Sequence, residues 1–290
     1  MEWRCAGLGW PDGSPVLRWQ GGRHSALAYG QDIGFRAVGE RRCVGARGNP
    51  CPHRAVVPGR ATQARCPECA RLDRAFSVAA DGVPDDPRPY RVYLAWFGPG
   101  LVKVGITAEE RGAVRLLEQG AVAFCWLGRG PLMAARRTEE LLRAALGVPD
   151  RVSYDRKRAV RAALPERAGR ARELDDLYRR AVGLDGWAET LEPLGFEVGD
   201  HAEAFGLAGL RAATGVVREL ADGGAVAGRL VAAAGPDLHL AGDGGVFVVD
   251  VRLLVGWELV RADAGAGTTV PVRAVQGGEG GGSAEQEGLF

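Results

Sequence analysis

The stretch "VYLAWFGPGLVKVGIT", residues 92–107, consists of two short apolar runs joined at Gly98-Pro99-Gly100. Aromatic and β-branched residues on both sides of a Pro-Gly turn predict an antiparallel hairpin. Two of its side chains stand out, Tyr93 on the first run and Lys103 on the second. Lys103 alternates with Val102 and Val104, so it shares a strand face with Leu101 and Gly105 and points away from the valines. A single cation on an apolar strand is either a guard on a sheet edge or a group facing a site.

The chain beyond the hairpin keeps changing period. "AEERGAVRLLEQG" (108–120) predicts a helix stopped at Gly120, and "AVAFCWLG" (121–128) predicts a strand. "PLMAARRTEELLRAAL" (131–146) is a second helix, with Pro131 tolerated in its first turn and Gly147 at its end. "DRKRAVRAAL" (155–164) continues as helix. The order is β-β-α-β-α-α over residues 88–165, which makes the fold class α+β.

Around this core the chain divides by composition. Residues 1–80 read as short strands broken by turns and contain a cysteine-rich stretch. "DGVPDDPRP" (81–89) is a linker, 166–185 a charged helical arm, and 186–276 a small all-β module with Gly- and Asp-rich turns. The tail over 277–290 is too Gly-rich and polar to pack, and is expected to be disordered.

Cys43, Cys51, Cys66 and Cys69 follow the spacing C-x7-C-x14-C-x2-C. A C-x2-C pair lets two thiolates of one tight turn grip one ion, and two upstream cysteines complete a tetrahedral sulfur set. A structural Zn²⁺ is the expectation, without a catalytic role because four thiolates leave no open position. His53 is the substitute ligand should one cysteine not bind. Cys5 and Cys125 stand apart and read as small hydrophobes.

The formal net charge is +1, yet residues 1–180 carry 31 Lys and Arg against 20 Asp and Glu, whereas residues 181–290 carry 6 against 16. A basic front of this kind suits an anionic partner such as nucleic acid. Of the 37 cations, only positions 103 and 157 are Lys. No apolar run approaches the roughly 20 residues that cross a bilayer. The first residues also lack the basic-then-apolar order of a signal peptide, so the expectation is a cytoplasmic protein with no membrane partner.

Residues 90–164 resemble the GIY-YIG nuclease superfamily. The carriers are Tyr93 on the first strand, Val104-Gly105-Ile106 on the second, an Arg on the next helix and a Glu on the one after. More widely, "VKVGIT", "RLLEQGA" and "GVPDR" with cysteines upstream resemble the bacterial domain-of-unknown-function family 2797. The nuclease resemblance implies a metal-dependent phosphodiesterase with Tyr93, Arg115 and Glu140 at its centre, and Lys103, the lone cation on its apolar strand, is expected to join them. Glu140 would bind Mg²⁺ or Mn²⁺, and Glu139 is the fallback if the helix register slips by one. Arg115 would support the phosphate, and Tyr93, its pKa lowered by nearby Arg or Lys, would orient or deprotonate water. Two positions depart from the pattern. Val104 replaces the second Tyr, and "DRVSYD" offers Ser153 or Tyr154 where an Asn is usual.

Nucleic-acid contact is expected from Arg111, Gln119, Arg151, Tyr154, Arg156, Lys157 and Arg158, since a basic helix can lie along a phosphate backbone and a Tyr can stack on bases. Two other readings remain open at this point. One is a non-catalytic zinc-containing DNA- or RNA-binding adaptor; the other is a small-molecule enzyme on the same scaffold.

Overall fold

The computed structural model describes residues 3–75, 86–263, 265 and 267–275. Residues 81–85 of the expected linker and the whole of the expected tail at 277–290 lie outside the described residues.

The hairpin forms as its residues dictate. Strand β5 (Tyr90–Gly98) pairs antiparallel with β6 (Leu101–Ala108), with Gly98 opposite Leu101. Pro99 fixes the first turn position and Gly100, at φ 66°, supplies the left-handed second one. Glu173 pins the turn, accepting from the Gly100 amide at 2.8 Å and from Trp96 Nε1 at 2.7 Å. The strand β7 (Ala123–Gly130) pairs with the other side of β5. Two short strands, β8 (Glu192–Pro193) and β9 (Val198–Asp200), line the far edge of β7 and complete a five-stranded sheet with β6 at its other edge.

Alternation along β5 feeds two cores. Tyr90, Val92, Leu94 and Trp96 join the main cluster, while Tyr93, Ala95 and Phe97 join a second one with Leu116 and Val152. Burial of side chains the size of Trp96 and Phe97 contributes on the order of 2–3 kcal/mol each. The first face is covered by α3 (Leu132–Leu146) and α5 (Arg167–Val182), and the second by α2 (Val114–Gln119) and α4 (Tyr154–Val160). Expected as an arm, α5 instead packs against β5 and β7, with Leu174 and Ala181 fully buried.

The first helix after the hairpin is shorter than its sequence suggests. Residues Glu109–Arg111 form one 3-10 turn, Gly112 breaks it at φ 45°, and α2 begins only at Val114. Gly112 can adopt that left-handed angle without strain, whereas most other residues would have continued the helix.

A three-stranded meander, β1 (Cys5–Gly9), β2 (Val16–Trp19) and β3 (His24–Ala26), opens the chain. The next strand, β4 (Asp32–Val38), does not join it. It sits inside a seven-stranded sheet, between β14 (Glu258–Arg261) and β11 (Ala225–Ala234). The sheet continues through β12 (Asp237–Gly242), β13 (Gly245–Asp250), β10 (Ala213–Val217) and β15 (Val272–Ala274), with β10 parallel to β13. The all-β module expected over 186–276 therefore takes a strand from residues 32–38. Within "GVFVVDVRLLVGWELV" a helical turn, α6 (Val251–Leu254), interrupts the strands, capped by the Asp250 side chain.

The two large sheets share one core cluster, in which Cys5 and Leu17 from the meander, Val92 and Trp96 from β5, and Leu230 and Leu240 from the large sheet all take part. The β11–β12 turn meets the end of α2 so closely that a Cβ on Gly235 would lie 2.8 Å from the Gly120 amide nitrogen. Among the described residues no helix is long and apolar enough to cross a membrane.

Candidate functional site

Register places Tyr93 opposite Gly105 and Ala95 opposite Lys103, so Tyr93 and Lys103 share a face. A Cβ on Gly105 would lie 2.4 Å from the Tyr93 hydroxyl, and only Gly leaves room for the ring to lie across the neighbouring strand. Lys103 Nζ lies 5.7 Å from the ring centroid and donates to the Asp150 carbonyl at 3.2 Å.

These groups open on a cavity of about 850 Å³ along β6, into which Tyr93, Lys103, Arg115 and Glu140 all reach. Seven cationic side chains line it against three carboxylates, Glu139, Glu140 and Asp150, so the cavity favours an anion. The α3 contribution is Arg136, Glu139, Glu140 and Arg143, a polar stripe at the i, i+3, i+4, i+7 spacing of one helix face. That stripe could have been read from the sequence, and it adds Arg136 and Arg143 to Glu140 and its fallback Glu139. Of the two glutamates, Glu140 is exposed and Glu139 is half-buried. Burial raises the Glu139 pKa against the opposing pull of Lys103.

Electrostatics inside the cavity differ from expectation at Tyr93. Its pKa is raised rather than lowered, because burial outweighs the help of Gln119 and Arg115. Tyr93 is a neutral phenol at pH 7, its oxygen accepting from Gln119 Nε2 at 3.0 Å. Lys103 moves the other way. Burial, with Arg115 nearby, lowers it to about 8. Arg115 lies 3.7 Å from Glu118, a partner it shares with Arg111 at 2.6 Å, while both arginines also line the cavity.

The residues expected to face nucleic acid are divided by the fold. Arg111 and Arg151 line the cavity, and Arg156 is exposed on α4. Gln119, at 8 % exposure, is turned inward onto Tyr93. The other three are held by the fold. Lys157 is buried over Phe97 and Tyr154 and donates to the Gln119 carbonyl at 3.0 Å. Arg158 is bonded to Asp237 at 2.6 Å and Asp250 at 2.9 Å, and the Tyr154 ring is capped by Arg252 at 4.3 Å. Asp237, fully buried, also takes Arg161 at 2.5 Å. Burial works against its charge, but Arg161 and Arg158 prevail and hold its carboxyl down at about 2. The acidic partners of α4 lie some 80 residues further along the chain, so the helix gave no local sign of turning inward.

The four cysteines form the second candidate centre. Cys43, Cys51, Cys66 and Cys69 are all buried, and their Sγ atoms lie within 4.8 Å of one another. Four thiolates about 2.3 Å from one ion stand roughly 3.8 Å apart, and Cys51 Sγ lies 3.9 Å from Cys66 Sγ. Burial raises the Cys43 pKa, and the Gly45 and Cys66 amides, which donate to its Sγ at 3.4 and 3.2 Å, partly offset this in favour of the thiolate. Gly45, at φ 80°, allows the first knuckle, since a Cβ would meet the Asn49 carbonyl at 1.9 Å. Cys69 lies in the first turn of α1 (Pro67–Ala75), where burial and the neighbouring cysteines raise its pKa, so that its thiolate calls for a cation among the four sulfurs. The cluster could hold a metal ion such as zinc. His53 stands outside it, exposed and 3.0 Å from Glu68.

Fold and sites together define an α+β protein with a cationic cavity and a four-cysteine cluster that could hold a metal. The family model described as Protein of unknown function (DUF2797) matches residues 30–259, and the chain belongs to this family. No curated protein and no solved structure matches it.

Proposed function

We propose that the cavity binds nucleic acid and hydrolyses its phosphodiesters, while the four cysteines hold a structural Zn²⁺. The observation that carries this reading is the meeting of Tyr93, Lys103, Arg115 and Glu140 in one cavity with an excess of arginines. Arg111 and Arg115 would take phosphate oxygens through charge-assisted hydrogen bonds. Tyr93, whose oxygen already accepts from Gln119, has its own proton free to donate to water or phosphate. The carboxylates of the cavity suit a hard divalent cation, and Glu140 would hold Mg²⁺ or Mn²⁺. Such an ion, when bound, neutralises charge developing on the phosphate.

The test is cleavage of labelled single- and double-stranded DNA and RNA with Mg²⁺ or Mn²⁺. Glu140→Ala should lose cleavage by a hundredfold or more while keeping its thermal midpoint and its zinc; cleavage at the wild-type rate removes Glu140 from the site. A second reading, a DNA- or RNA-binding adaptor that does not cleave, is favoured by Val104. The position that carries a second Tyr in the nuclease pattern is here fully buried in the main core. Binding that weakens steeply with salt, with no cleavage under either metal, selects the adaptor.

A further inference from the structure

Lys103 is unusual in a chain that uses Arg for nearly every cation. Arg serves as well or better for holding phosphate, but it stays protonated in proteins, whereas a buried Lys can lose its proton. Lys103 is the cavity's one lysine, half-buried among arginines that attract phosphate, and its Nζ donates a hydrogen bond to the Asp150 carbonyl. That bond uses one N–H and leaves a neutral amine its lone pair. The other lysine cannot compete. Lys157 is 4 % exposed, with its Nζ 3.9 Å from the centroid of the Phe97 ring, and it does not line the cavity.

We propose that Lys103 is an amine nucleophile that forms an imine with an aldehyde carried next to a phosphate, the group exposed at an abasic site of a nucleic-acid strand. This rests on the proposed function only in taking the cavity as a nucleic-acid site. The neutral amine adds to the C1 aldehyde of the ring-opened sugar, and the carbonyl oxygen leaves as water to give a protonated imine. A C2 proton then passes to water in the open cavity. The C–H electron pair moves to form a new double bond, and the C3–O bond breaks with its electrons leaving on the phosphate. Water hydrolyses the imine and returns Lys103. No oxidant, reductant or metal is required.

The lowered pKa of Lys103, about 8, supports the role. It leaves roughly a quarter of the amine neutral at pH 7.5, against roughly one part in a thousand for an ordinary lysine. The arginines select the phosphate, and the amine selects the aldehyde.

The experiment is borohydride trapping of the full chain, in EDTA, on an oligonucleotide with one abasic site, with 2-deoxyribose 5-phosphate as a parallel arm. The chain offers two lysines and the N-terminal amine, so peptide mapping of the adduct is decisive. Expected is an adduct on Lys103 whose yield rises with pH to a midpoint near 8. Lys103→Arg, which keeps the charge, should lose the adduct at least a hundredfold with an unchanged thermal midpoint. An adduct on Lys103 from the small sugar phosphate alone keeps the amine chemistry and overturns the strand as its source. No adduct in either arm, or one confined to Lys157 or the N-terminus, overturns the proposal. An undamaged strand with Mg²⁺ is run alongside; its cleavage, together with no Lys103 adduct on the abasic strand, overturns the lysine role and leaves the hydrolase reading standing.

Discussion

Gly105 shows how one missing side chain shapes the candidate site. Its absent Cβ leaves the space that the Tyr93 ring occupies, so Gly105→Ala should displace the ring and destabilise the fold by about 1–3 kcal/mol. Urea unfolding measures the loss, and tyrosine spectroscopy should report the altered Tyr93 environment. His239 acts through its proton. It is 2 % exposed, and burial, with Arg161 close by, lowers its pKa to about 3. Arg158 also opposes its protonation while Asp237 favours it, and His201, on a loop, is lowered by burial too. Above pH 6.5 His239 is neutral in both states and costs nothing. Below that the unfolded chain binds the proton first, so stability is lost as pH falls from 6.5 toward 3, by about 2 kcal/mol at pH 5. Urea midpoints at pH 7.5 and 5 measure this, and His239→Leu should flatten the difference between them.

Among the elements, α4 differs most from its sequence appearance. Its basic residues look suited to solvent or phosphate, but Arg158 and nearby Arg161 converge on Asp237 of β12. Asp237→Asn leaves two guanidinium groups close to a weakened partner and should cost about 3–5 kcal/mol, read from urea unfolding. The order from β5 to α4 was legible in sequence because each element carries its own period and several, β5, α2, β7 and α3, end at a Gly or Pro. The break at Gly112 was not, since a lone Gly inside a helical pattern is commonly tolerated. Neither was the choice between Glu139 and Glu140, because adjacent helix positions differ by about 100° of rotation and only packing shows which turns inward. The cysteine stretch was legible for a different reason. Its spacing carries chemistry directly, and chelation or Cys66→Ser should unfold the region around 41–75, seen as protease cleavage there while the hairpin at 90–108 stays protected.

At the scale of the whole molecule, the sheets bind distant parts of the chain. Leu230 and Leu240 of the large sheet join Val92 and Trp96 in one cluster, and Gly235 touches Gly120 beside Gln119. The support of Tyr93 therefore extends through Gln119 into the seven-stranded sheet. Strand partners nearly 200 residues apart leave no local sign in sequence, which is why the placement of β4 could not be read there. The basic-to-acidic charge gradient was visible early, yet part of it is spent internally. Acidic Asp237 and Asp250 from the second part neutralise Arg158 and Arg161 from the first.

The position of β4 also sets a schedule for the newborn chain. Asp32–Val38 leaves the ribosome long before either neighbour, β11 or β14, has been made. At about 5–20 residues per second, the strand waits on the order of 10–40 s for them. During that time its unpaired edges are open to other chains or to holding factors. Chains stalled before residue 225 should be cleaved by protease within 32–38, and chains released after 262 should resist.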